Sequence, residues 1–86
     1  MSQPTRVKKA LEAVAVAKST GVTAAEAKPL VVTMKEIADT VEASPDLRAP
    51  MVHWRGELEA AIVRGDTGAQ ERAVAATAAL AARWLP

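Results

Sequence analysis

The residue pattern predicts an all-α protein, a small four-helix bundle built from two helical hairpins. Three observations carry this. Apolar residues recur at three- and four-residue spacing in four successive segments, the period of a helix face. Strand-like alternation of apolar and polar residues is absent from the chain. Glycines and helix-start signatures, rather than long polar stretches, separate the segments, and four helices on short loops pack as a bundle.

Helix one is expected over 5–18, with Pro4 suited to a first turn. Val7, Leu11, Val14 and Ala17 or Lys18 share its stripe, Ala10 lies beside them, and Gly21 ends it in the left-handed conformation. Thr23-Ala24-Ala25-Glu26 is a capping box, from which helix two runs to Glu42 with Leu30, Met34, Ile37 and Val41 inward, helped by Val31 and Ala38. Ser44-Pro45 starts helix three as cap and first-turn proline. Its regular part is expected over 51–64, with Met51, Trp54, Leu58 and Ala61 or Ile62 inward and Gly65 as its end. Pro29 and Pro50 each remove a hydrogen bond and press on the preceding turn, so they are expected to kink or break helices two and three. Thr67-Gly68-Ala69-Gln70 reads as a second capping box, opening a last helix that runs to Leu85. There Val74, Thr77, Leu80, Ala81, Trp84 and Leu85 share one side, while Ala75, Ala78, Ala79 and Ala82 form the other.

The two hairpins echo each other. GVTAAEAKPLVVT at 21–33 aligns with GDTGAQERAVAAT at 65–77. Similar helix starts in an alanine-rich chain account for this; a duplicated hairpin is the alternative and predicts approximate internal two-fold symmetry.

With 86 residues the chain reads as one helical domain, 1–86. Half of its residues are hydrophobic, but twenty are alanine, and there is no Phe or Tyr. Alanine offers little area at roughly 25 cal/mol per Å² of apolar surface buried. Two Trp, ten Val and a few Leu, Ile and Met must fill the core. A chain this short buries only about 60–65% of its unfolded surface, so marginal stability alone, or help from a partner subunit, is expected. The alanine-heavy, arginine-using composition looks like that of proteins from high-GC bacteria or their phages.

Net charge is +1, too small for binding polyanions by bulk electrostatics. Without Cys there are no disulfides and no thiolate chemistry. His53 is the only histidine; Glu57 lies four residues on and reads as its solvated partner rather than as a catalytic dyad. One His among scattered carboxylates is no metal-ligand set, and no glycine-rich phosphate loop occurs. The expectation is a non-enzymatic protein with no catalytic residues, metal or cofactor. No apolar run approaches the roughly 20 residues of a membrane span, and a cytoplasmic location is expected.

Residues 16–30 (Val16-Ala17-Lys18-Ser19-Thr20-Gly21-Val22-Thr23, then Ala27 and Leu30) resemble the helix-turn-helix of bacterial repressors. In that pattern a small residue, Ala17, lets the helices cross, Gly21 makes the turn, Val22 plugs the core and Thr23 caps the recognition helix. The resemblance implies a DNA-binding transcriptional regulator with Arg6, Lys8, Lys9, Lys18 and Lys28 on phosphates. Pro29 falls inside its recognition helix, and Ala24, Ala25, Glu26 and Lys28 would face the groove, a set with few base-reading groups. Residues 9–42 are similar in pattern to the helical hairpin of bacterial histone-like proteins, but no counterpart of that family's DNA-gripping β-arm follows. Trp54-Arg55-Gly56 resembles the Trp-x-Gly signature of small secreted helical-hairpin proteins of actinobacteria, where it forms the turn between two long helices. Here prolines precede it and Gly65 and Gly68 follow it, and that family's C-terminal secretion motif is not found in these residues.

Binding surfaces remain. Val16, Val32 and Val63 fall off the best stripes of their helices, and the alanine side of helix four adds to them. That is more apolar surface than a small monomer comfortably exposes. The first expectation is therefore a protein-interaction module, self-associating or docking on another protein through helix faces, with Ala75, Ala78, Ala79, Ala82 and Trp84 as the interface. DNA binding through 16–30 is the alternative.

Overall fold

The computed structural model describes residues 5–40 and 43–85. They form four helices: α1 (Thr5–Ala15), α2 (Ala24–Asp39), α3 (Pro45–Arg64) and α4 (Thr67–Trp84). Each helix packs against its chain neighbour, and α4 closes the ring on α1, so α1 and α3 lie on opposite sides of the α2–α4 diagonal. The expected all-α bundle is the observed architecture. Its Cα radius of gyration is 11.9 Å, the value of about 12 Å that size scaling gives a compact chain of this length.

The stripes converge on one core. Val7, Leu11 and Val14 of α1, Met34 and Ile37 of α2, Met51 and Leu58 of α3, and Val74, Leu80 and Ala81 of α4 are buried together. Trp54, Trp84 and Leu85 pack against this cluster while keeping part of their surface in solvent. Thr77 is buried without penalty because its hydroxyl donates to the Ala73 carbonyl at 2.7 Å.

The helix ends correct several expectations. α1 stops at Ala15, three residues short of Lys18, and an eight-residue connection follows. That connection folds back to bury Val22, which a longer helix would carry away from the core. Gly21 takes φ 70° within it, not at the helix end. Thr23 caps α2 as expected, accepting the Glu26 N–H at 3.2 Å. Its hydroxyl also donates to the Glu26 carboxylate at 3.0 Å, so the return contact of the box is made between side chains. α2 ends at Asp39, where the Thr40 N–H reaches the Ile37 carbonyl; the expected continuation through Val41 and Glu42 lies outside the described residues.

Neither internal proline breaks its helix. Pro29 and Pro50 are each the sixth residue of a continuous helix. The carbonyls they leave without a helical donor belong to Ala25 and Asp46, both at exposed positions where water can serve them. α3 therefore begins at Pro45, capped by Ser44, and its first turns contribute Leu47 to the core. Trp54-Arg55-Gly56 consequently lies within a helix and not at a turn.

α3 closes in a Schellman motif. Gly65 adopts φ 67°, its N–H bonds the Ile62 carbonyl at 3.1 Å, and the Asp66 N–H bonds that of Ala61 at 3.0 Å. Asp66, not Thr67, then caps α4 by accepting the Ala69 N–H at 3.0 Å. An aspartate is the stronger cap, and its charge suits the positive end of the helix dipole. The expected second capping box is thus replaced, and Gln70 is buried one turn into the helix.

Candidate functional site

α2 and α3 meet so that the start of one lies beside the end of the other. Lys28, Val31 and Val32 of α2 and Glu59, Ile62 and Val63 of α3 line one open groove of about 350 Å³. Its walls are almost wholly aliphatic. Val31 and Ile62 are half-buried on the core side. Val32 is 58% exposed and Val63 87%. The charged groups Lys28 and Glu59 share its lining. On α3, Arg55 donates to the Glu59 carboxylate at 2.6 Å, one helical turn away.

The sequence shows Val32 and Val63 as apolar residues off their stripes, but not that the packing of α2 on α3 brings them together. The available signal is the doubled aliphatics, Val31-Val32 and Ile62-Val63, which widen each stripe toward the neighbouring helix. Val52, 46% exposed, is an apolar surface residue the sequence stripes did not single out.

The alanine side of α4 is a second apolar face. Ala75, Ala79 and Ala82 are exposed, whereas Ala78 and Trp84 are half-buried, and Trp84 already packs on the chain's own core. Size separates the two faces. Burial stabilises by about 0.8 kcal/mol per CH2, so a fully covered valine contributes roughly 1.5 kcal/mol more than an alanine. The groove therefore offers a partner more per residue than the alanine face does.

Arg6, Lys8, Lys9, Lys18 and Lys28 are all at exposed positions. Arg6, though, lies in a recess of about 440 Å³ shared with Glu36, Asp39 and Thr40, and its guanidinium donates to the Thr40 hydroxyl at 3.5 Å. Two carboxylates there oppose a phosphate. Lys28 lines the α2–α3 groove. Gly21, Val22 and Thr23 behave as the helix-turn-helix resemblance implies, but the eight-residue connection is longer than the three- or four-residue turn of that motif.

His53 and Glu57 are both exposed and no hydrogen bond or ion pair joins them, contrary to the expected pairing. The imidazole instead meets the edge of Trp54, ring centroids 4.9 Å apart at 74°. Among the described residues no group of three or more His, Cys, Asp or Glu side chains could hold a metal ion. No helix among them is long and apolar enough to cross a membrane.

The fold and this surface define a class: a small four-helix protein that carries an open aliphatic groove between two of its helices. The chain matches no protein-family model, no curated protein and no solved structure.

Proposed function

We propose that this chain is a non-enzymatic helical interaction module that self-associates through helix faces, a cytoplasmic accessory or regulatory protein of a bacterium or phage. One observation carries the reading. Val32 and Val63, strongly exposed, converge with Val31 and Ile62 on a single groove that the described chain leaves unfilled. Scattered exposed valines need no explanation; aliphatics gathered between two helices form a surface that another helix can cover. Sedimentation velocity of the protein across a hundredfold range of concentration tests the reading. The expected result is a reversible shift from monomer toward a discrete oligomer. A sedimentation coefficient that stays monomeric throughout overturns self-association.

The DNA-binding alternative draws on the exposed lysines and on the local geometry of Gly21, Val22 and Thr23. It is read in the same experiment by adding duplex DNA at low salt, where phosphate contacts are strongest. Salt-sensitive cosedimentation of the chain with the duplex supports it, and sedimentation unchanged by duplex removes it.

A further inference from the structure

We infer that the occupant of the α2–α3 face is a second copy of this chain, docked with its α3 antiparallel to the first. The inference rests on the self-association reading above and names its geometry.

The outward side of α3 is self-complementary. At about 100° per residue, Val52, Gly56, Glu59 and Val63 fall within about 60° of one another, opposite Leu47, Met51 and Leu58, which are buried. A two-fold axis crossing α3 between Glu57 and Leu58 sets Val52 of one copy against the partner's Val63. The same axis sets Gly56 against the partner's Glu59. Both pairs follow from a single register, as an isologous contact requires.

Gly56 is the second observation. Glycine is among the poorest helix formers, yet this one lies deep inside α3 at an exposed position. Apart from its chain neighbours and the backbone of its own helix, no atom of the described residues stands within 4 Å of the place a Cβ would take. Nothing among the described residues calls for a glycine here, whereas a helix crossing close to α3 does. Charge is the third. In this register Arg55 of each copy comes beside the partner's Glu59, so the pair now formed within one helix is completed across the axis. Lys28 flanks the same groove with a further positive charge.

The area suffices. A stable dimer buries about 800 Å² on each partner, roughly a sixth of the 5057 Å² this chain exposes. One long side of a body 38 by 19 Å provides that order of area.

The test uses the whole chain, which has no native cysteine. Val52→Cys protein is mixed with Val63→Cys protein and oxidised. The expected result is a disulfide heterodimer in clear excess over either homodimer, because residue 63 of each copy lies about 16 Å along the helix from its equivalent. In sedimentation, Val63→Glu is expected to weaken self-association at least tenfold with helicity unchanged, and Ala79→Glu to leave it intact. A wild-type oligomer that survives Val63→Glu and is lost in Ala79→Glu overturns the inference while leaving self-association standing. A wild-type chain that is monomeric throughout ends both.

Discussion

Gly65 and Gly56 carry opposite consequences for a methyl group. At Gly65 the backbone holds φ 67° with open space around it, so alanine there meets no neighbour but must adopt a conformation that L residues disfavour. Gly65→Ala is expected to lower the free energy of unfolding by about 1–2 kcal/mol, read from urea titration. At Gly56 the backbone is helical, and alanine would favour the isolated helix by about 1 kcal/mol. Gln70 is the third residue of interest. It is 1% exposed, and its side-chain oxygen has no hydrogen-bond partner among the described residues. An unmet buried acceptor costs about 1–3 kcal/mol, and methionine has a similar length without it. Gln70→Met should therefore stabilise the fold by about 1 kcal/mol in the same titration; a loss of stability would show that the amide has a use that its geometry does not reveal. Gln70 was readable in the sequence only as a capping residue, because its burial depends on where α4 begins.

The start of α4 is decided at the scale of the element. Two residues, Gly65 and Asp66, connect α3 to α4, and the Schellman motif that ends one delivers Asp66 to cap the other. Asp66→Ala is expected to cost about 1 kcal/mol, and Thr67→Ala within about 0.5 kcal/mol, in chemical denaturation. Equal losses would restore Thr67 as the cap. The helix starts at Thr23 and Ser44 were legible because a hydroxyl with a following Glu or Pro states its own role. The prolines were not. Whether Pro29 or Pro50 interrupts a helix depends on which way the freed carbonyl faces, and that follows from packing.

For the whole molecule, self-association links stability to concentration. A dimer formed by the native state makes the thermal midpoint rise with protein concentration. Wild type is expected to gain several degrees over a hundredfold range by calorimetry, and Val63→Glu to lose that dependence. A midpoint independent of concentration in wild type would stand against a native-state dimer. The four positions of the alanine face were readable as a set from helical period alone, and three of them, Ala75, Ala79 and Ala82, are exposed. The groove was not readable, since Val31, Val32, Ile62 and Val63 lie some thirty residues apart and belong to one surface only once α2 lies against α3.

Periodicity, caps and glycines were enough to specify four helices and the main stripe each turns inward, though not the buried Ala27, Leu47 and Gln70, because the stripes depend on spacing within one helix. Where each helix ends, how its prolines are tolerated and which exposed apolar residues become neighbours depend on contacts between helices. Those contacts are set by packing across the bundle, and spacing along the chain does not encode them.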